Sequence, residues 1–311
     1  MKSLEEQIAH LEKKGKKTRS LLKIFWRSLQ AFKNSHGRTP ELNPPKTFNE
    51  KLLYRKLFQR SKLLAEADMV CKYEVRDYVK RKIGEKYLIP LINVIYNSKD
   101  FKLEDLPEKF IMKASHGSGW NYIVRDKSSE SESTLRRLIA AWLNCNYSIS
   151  FTGEAQYEKV KPAVVIEELM EDNNGKVPAD YKFHCFGKGG KDKIIIQLIS
   201  DRFEDKAMSF LTEDWKMLEL KFNDYPNHAS FPEKPENLNE MLKVTRALSQ
   251  DHDYCRIDLY SFKERVFFGE ITFVPGNSTE QFKPETMDRV FGDWMSDFDL
   301  EKDPIIKRFI R

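Results

Sequence analysis

Arg256-Ile257-Asp258-Leu259-Tyr260, followed after a short turn by Phe267-Phe268-Gly269-Glu270-Ile271-Thr272, is the stretch on which the reading of this chain turns. Side chains alternate between faces along a strand. Paired antiparallel across Ser261–Arg265, the two segments put Ile257, Leu259, Phe267 and Ile271 on one apolar face. Arg256, Asp258, Glu270 and Thr272 then share the other, provided Asp258 stands opposite Phe268 or Glu270. Two carboxylates and a guanidinium on one face are costly unless something compensates them. Mg²⁺ held together with nucleotide phosphates is one such compensation, because one or two carboxylates plus phosphate oxygens commonly bind it. A solvated outer face with an ion pair is the competing reading, since any half-buried strand alternates in this way.

Two further stretches carry chemistry. In Phe110-Ile111-Met112-Lys113-Ala114-Ser115-His116-Gly117-Ser118-Gly119 an apolar strand delivers a lysine, and a small, glycine-rich turn follows at once. Such turns let backbone N–H groups approach phosphate oxygens, with the lysine as a point charge. No Gly-Lys-Ser/Thr precedes a helix, so this is not a Walker A loop. In Val164-Val165-Ile166-Glu167-Glu168-Leu169-Met170, two consecutive glutamates after a β-branched run fall on opposite faces. They suit a hinge meeting an adenine amino group and a ribose hydroxyl, or simply the end of a strand.

Composition narrows the class. A chain of 311 residues with 40% hydrophobic and 32% charged residues reads as a soluble globular protein of one or two domains. It has no apolar run long enough to span a bilayer and no apolar signal-peptide core near the start. Cys71, Cys145, Cys185 and Cys255 lie far apart, which suggests reduced thiols and a cytoplasmic setting. His252 and Cys255 have zinc-ligand spacing but lack companions. Residues 1–33 carry nine Lys/Arg against three Asp/Glu, and the remainder carries 44 against 45. The basic excess therefore belongs to an N-terminal arm and not to a folded nucleic-acid-binding face. In that arm Leu21, Leu22, Ile24, Phe25, Leu29 and Phe32 recur at helical spacing among Lys23, Arg27 and Lys33. The helix could lie on an anionic membrane as a peripheral contact, dock on a partner, or dock on its own domain.

Pro40, Pro44 and Pro45 mark a linker. Helical patterns follow over Phe48–Phe58 and Leu63–Lys82, the second ended by Gly84. Strand-like runs then occupy Leu88–Tyr96, Phe110–Ala114, Tyr122–Val124, Ala163–Met170, Tyr181–Phe186, Lys193–Ile199 and Ala207–Leu211. Helices are expected near Ser133–Tyr147, Asn237–Gln250, Pro284–Phe298 and Asp303–Ile310. Strand runs mixed with separate helices indicate an α+β class without a Rossmann repeat.

In this order, Lys72, Lys113 with its loop, Glu167-Glu168, Lys182 and Arg256/Asp258/Glu270 resemble an ATP-grasp enzyme. The segments TFNEKLLYRKLF, CKYEVRDYV, KASHGSGWN, EAQYEKVKPAVVIEELM, DYKFHCF, SDRF and GEITFVPGN resemble the TupA-like branch, associated with teichuronopeptide and with capsular or O-antigen polysaccharide biosynthesis. The resemblance runs from about Thr47 to Trp294. It implies an α+β ATP-grasp fold whose two subdomains grip ATP, here residues 61–168 and 169–311, preceded by a helical region over 1–60. Lys72 and Lys113 would contact phosphates under the loop Ser115, His116, Gly117, Ser118 and Gly119. Glu167, Glu168, Leu169 and Met170 would line adenine and ribose. Asp258, Glu270 and Thr272 would hold Mg²⁺, Arg256 would steady the reacting acyl phosphate, and Lys182 would sit near the transferred phosphate. The reaction implied is ATP-dependent amide formation between a uronic-acid carboxylate of a bacterial polysaccharide or precursor and an amino acid or amino alcohol. Arg202 is a candidate clamp for a substrate carboxylate, or an ion-pair partner of Asp201 or Glu204.

The chain departs from the commoner Glu-x-Asn metal motif by placing Thr272 at the third position, which leaves Asn277 or a water to complete a metal shell. Cys71 also stands where related sequences tend to have Asp. The rival reading is a sugar-nucleotide glycosyltransferase, drawn from the Asp-x-Asp pattern of Asp251-His252-Asp253, although turns are rich in Asp anyway. A non-catalytic scaffold is disfavoured by Lys113, Arg256, Asp258 and Glu270 all being present. No Gly-x-Ser-x-Gly elbow supports triad chemistry.

Overall fold

The computed structural model describes residues 4–15, 21–200 and 207–303. Its helices are α1 (Leu4–Gly15), α2 (Leu21–His36), α3 (Phe48–Phe58), α4 (Arg60–Ala65), α5 (Ala67–Val70), α6 (Val75–Lys82), α7 (Glu132–Leu143), α8 (Leu238–Leu248) and α9 (Thr286–Trp294). The fold is α+β, and the chain divides into two compact units. The first comprises Met1–Arg27, Arg60–Tyr78 and Ile89–Leu169; the second comprises Ser28–Gln59, Val79–Leu88 and Met170–Arg311. Among the described residues no helix is long and apolar enough to cross a membrane.

The first unit is built on an antiparallel sheet of β1 (Leu91–Ile95), β2 (Phe110–Ala114), β3 (Asn121–Val124) and β4 (Val164–Glu168), in the order β1-β4-β2-β3. Period-two alternation in β2 sends Phe110, Met112 and Ala114 into the core and leaves Lys113 on the other face. Leu135, Leu138, Ile139 and Trp142 of α7 close that core, and Ile8 and Leu11 of α1 enter it as well. The Ser131 side chain caps α7 by accepting from the Thr134 amide. The apolar pattern over Leu63–Lys82 predicts one continuous helix; the structure breaks it into α4, α5 and α6. Cys71 leaves α5 with φ −71° and ψ 116°, and the Lys72 amide donates to the Ser115 carbonyl (3.3 Å). A backbone bond to the glycine-rich loop thus competes with helix continuation.

The second unit holds a sheet ordered β11-β10-β5-β6-β7-β8, made of β5 (Asp180–Phe186), β6 (Lys193–Ser200), β7 (Ala207–Thr212), β8 (Met217–Leu218), β10 (Tyr254–Phe262) and β11 (Arg265–Thr272). The short strands β9 (Lys221–Phe222) and β12 (Phe282–Lys283) pair separately. β10 and β11 meet through the two residues Lys263 and Glu264, with φ 49° and 60°. Positive φ at both positions is the hairpin turn whose twist matches the strands. The pairing is therefore longer than a Ser261–Arg265 turn would allow, since Phe262 faces Arg265.

A bulge also corrects one face of this hairpin. Asp258 pairs with Glu270, but Leu259 then pairs with Phe268 and Tyr260 with Phe267. The extra residue is Gly269, where an added Cβ would lie 3.0 Å from both the Asp258 carbonyl oxygen and the Tyr260 ring. Phe268, not Phe267, thus joins Leu259 on its face.

Phe48 of α3 packs edge-on against Tyr254, Phe282 and Phe291, with Phe186 also in contact. α3 is fixed at its start by a capping box between Thr47 and Glu50. All four cysteines are buried and carry thiols, Cys71 and Cys145 in the first unit, Cys185 and Cys255 facing each other across β5 and β10 in the second. Burial raises the thiol pKa of Cys71 and Cys255.

Candidate active site

Strand parity assembles the acidic cluster of the second unit. Arg256 and Asp258 are two residues apart on β10, opposite His184 and Lys182 on β5 and opposite Thr272 and Glu270 on β11. All six side chains therefore share one face. Arg256 donates from Nε to Asp258 Oδ1 (2.7 Å) and from Nη2 to Asp258 Oδ2 (2.8 Å), Glu270 Oε1 (2.9 Å) and Thr272 Oγ1 (3.1 Å). Lys182 Nζ bridges Asp258 and Asp180, the latter at 3.0 Å. Burial works against the guanidinium charge, but Asp258 and Glu270 outweigh it and raise the Arg256 pKa.

Exposure separates the two carboxylates. The Asp258 side chain is 2% exposed and that of Glu270 is 31% exposed, so Glu270 is the acid open to a ligand. Among the described residues no three His, Cys, Asp or Glu side chains gather as a metal site. The cluster thus offers two carboxylates that already converge on one cation. That donor set suits a hard divalent ion completing its shell with phosphate oxygens and water. The Asn277 Oδ1 atom accepts from Lys56 Nζ (2.7 Å), so its carbonyl is engaged inside the unit.

His184 underlies this cluster. It is fully buried, and its Nε2 meets Gln197 Oε1 (3.0 Å) while Nδ1 meets the Tyr254 hydroxyl (2.9 Å). An acceptor at Nε2 leaves Nδ1 to accept the Tyr254 proton, which is the neutral tautomer. Burial first, and the Arg256 charge second, push its pKa down to about 3. His252 is pushed down to about 4 by burial and by Arg55. Below pH 6.5 the unfolded chain protonates these imidazoles while the native state refuses the proton. Stability is therefore undiminished above that pH and falls as acid is added, by up to about 1.4 kcal/mol per pH unit for each histidine. Urea midpoints measured from neutral pH down to the pH where His252 titrates should decline steadily; a flat profile would contradict the neutral pair.

The first unit gathers its own set. Lys113 Nζ contacts Glu167 Oε2 (2.7 Å), and Arg76 Nη1 contacts Glu167 Oε1 (2.8 Å), giving a largely buried triad. Glu167 is buried and Glu168 exposed, the opposite-face arrangement expected of consecutive strand residues. The loop Ser115–Gly119 joins β2 to β3. Ser115 Oγ accepts from the Ala163 amide (3.0 Å) and donates to the Lys161 carbonyl (3.2 Å), and His116 Nε2 meets the Trp142 carbonyl (2.9 Å). Both side chains therefore anchor the loop, and Ser118 and Gly119 form its exposed crest. Gly119 has φ +73°, a conformation glycine supplies without strain. Lys72 Nζ donates to the Gly117 carbonyl beneath that crest. Leu169 and Met170, partly buried, follow β4 directly.

The Asp-x-Asp pattern does not form one site. Asp251 pairs with Lys82 (3.1 Å) and Asp253 with Arg55 (2.7 Å), each acid with its own cation. Arg202 lies outside the described residues, as does the helix expected over 303–310 beyond its first residue, Asp303. Sequence reading passed over Arg76, Asp180 and His184. Parity could have found two of them, because Asp180 and His184 flank Lys182 at two-residue spacing. Arg76 follows Lys72 by four residues, one turn along the continuous helix that the apolar pattern predicts, and that spacing is the signal that could have found it.

A family model described as TupA-like ATP-grasp matches residues 50–296. No curated protein matches the sequence. Among solved structures, the chain is similar to a D-alanine–D-alanine ligase from Helicobacter pylori, with 17% identity, TM-score 0.40, and coverage of 74% of this chain but 61% of that one. It is similar to the Bacillus anthracis D-alanine–D-alanine ligase complexed with ATP, at 16% identity and TM-score 0.41, covering 80% and 69%. A RiPP-associated ATP-grasp ligase from Chryseobacterium gregarium, in complex with ADP and a leader and core peptide, aligns at 14% identity and TM-score 0.38, covering 76% and 61%. These structural likenesses are too remote to carry a reading of function.

Proposed function

We propose that this chain, which belongs to the TupA-like ATP-grasp family, is an ADP-forming ligase that joins a carboxylate to an amine through an acyl phosphate. The carboxylate we assign is a uronic acid of a bacterial surface polysaccharide or its precursor, and the amine an amino acid or amino alcohol. The observation that carries the reaction type is the convergence of Asp258, Glu270 and Arg256 on one face of the β10–β11 hairpin, with Glu270 open.

Asp258 and Glu270 would hold Mg²⁺, which when bound neutralises charge on the phosphates during transfer. Arg256 is fixed by four hydrogen bonds, so its guanidinium meets developing negative charge without reorganising. Lys182 is held against Asp258 and Asp180 and adds a second fixed cation. In the first unit Glu167 orients Lys113 and is itself steadied by Arg76, so Lys113 and Lys72 serve the phosphates under the Ser118–Gly119 crest. With Glu167 engaged by two cations, the exposed Glu168 is left to meet the ribose, beside Leu169 and Met170. Arg202 stays the candidate clamp for the substrate carboxylate. The work is cytoplasmic in this reading, because ATP is its energy source.

A thermal-shift panel tests it with Mg-ATP analogue, Mg-ADP, UDP-sugars and metal alone. A nucleotide at a hundred times its dissociation constant should add about 2.7 kcal/mol of stability. That gain should vanish in Lys113→Ala and Asp258→Asn. Stabilisation by UDP-sugars without any adenine response would overturn the reading in favour of glycosyl transfer.

A further inference from the structure

Helix α2 carries more apolar surface than the fold covers. Ile24, Ser28 and Phe32 are buried and form one row at four-residue spacing. Leu21, Leu22 and Trp26 are exposed, at 48%, 66% and 62%. Leu22 and Trp26 are one turn apart, so they adjoin on the outer surface. Lys23 and Arg27 are exposed in the next row, and the exposed Lys33 lies seven residues beyond Trp26 on its own row. The helix contains no Asp or Glu. The sequence stretch leading into it adds Lys13, Lys14, Lys16, Lys17 and Arg19. The single stripe expected from spacing is therefore two faces, one buried and one open.

We propose that the open face of α2 docks on an anionic bilayer surface, Leu22 and Trp26 entering the headgroup boundary while Lys23, Arg27 and Lys33 meet lipid phosphates. The inference is independent of the ligase reading. An indole is suited to a boundary where one edge is apolar and the other wet. Two large side chains alone bind membranes weakly and reversibly, and a basic cluster provides the second signal that stable attachment needs. Charge decides between this and other occupants. A second copy packed symmetrically on the same face would bring lysines and arginines against their own kind, with no acid on the helix to offset them. Nucleic acid would satisfy the cations but leave Leu22 and Trp26 without an apolar partner.

The test uses the full chain and sedimentation with vesicles of phosphatidylglycerol and phosphatidylcholine in equal parts, against vesicles of phosphatidylcholine alone. The protein should pellet with the first, remain in solution with the second, and be released by added salt. Leu22→Glu/Trp26→Glu should lower the bound fraction at least about tenfold, with ATP turnover away from vesicles unchanged. Brominated phosphatidylglycerol should quench tryptophan emission in the unaltered protein but not in Trp26→Phe, a measurement that does not depend on the charged variant folding. Three results would each overturn the proposal: no pelleting with anionic vesicles, equal binding by the double variant, or a dimer in solution that the double variant converts to monomer.

Discussion

Glu270→Gln is expected to lower ATP turnover by on the order of 10³-fold while leaving the melting temperature within about 2 °C of the unaltered protein. The substitution keeps the shape of the side chain, and its amide oxygen can still accept from Arg256 Nη2, now at 2.9 Å from Oε1. What disappears is one negative charge at the carboxylate open to solvent. Glu270 is the partly exposed end of the cluster, and Arg256 keeps Asp258 and Thr272 as partners, so the fold should hardly register the change. A divalent ion bound by two carboxylates loses half of its protein charge, so the reaction should register it strongly. Coupled-enzyme detection of ADP, with a thermal melt on the same sample, separates the two effects. Turnover near normal would mean that Glu270 is not a ligand and that the site has been misplaced.

Arg256→Ala should do the reverse to the fold, costing about 3 kcal/mol and lowering the melting temperature by roughly 6–12 °C. Asp258, with its side chain 2% exposed, would lose a two-pronged partner and keep only Lys182. Glu270 would lose its guanidinium partner as well. Removing one member of a buried ion cluster leaves the others uncompensated, which is why the expected penalty exceeds that of a surface pair. Lys182 remains on Asp258 and holds the cost to the lower end of the range. Adding Asp258→Asn to Arg256→Ala removes the stranded charge, so the double variant should be more stable than the sum of the single losses predicts. Simple additivity in urea unfolding would show that Arg256 and Asp258 act independently.

Much of this arrangement was legible in the chain, and for definable reasons. Alternation along 254–272 put Arg256, Asp258, Glu270 and Thr272 together because a strand has only two faces. The strand Phe110–Ala114 and the helix Phe48–Phe58 have the bounds that their apolar spacing gives. Illegible features arise where tertiary bonds override local pattern. The bulge at Gly269 depends on a close approach of the Asp258 carbonyl, and it moves Phe268 rather than Phe267 to the face of Leu259. The break at Cys71 depends on a bond from Lys72 to a loop more than forty residues on. Arg76, Lys113 and Glu167 come together from three separate segments, which no single periodicity reveals. The open face of α2 was hidden for a related reason, since helical spacing counts apolar residues without saying which of them the fold will use.

The four buried thiols have a use as native reporters. Cys71 and Cys145 sit in one unit, Cys185 and Cys255 in the other, and each is shielded from solvent. A thiol reagent reaches such a sulfur only when the surrounding structure opens, so the pace of labelling at each cysteine follows the local opening equilibrium. Peptide mass mapping during a labelling course would thus clock each unit separately, without an introduced probe, and would reveal whether a nucleotide tightens one of them alone or both together.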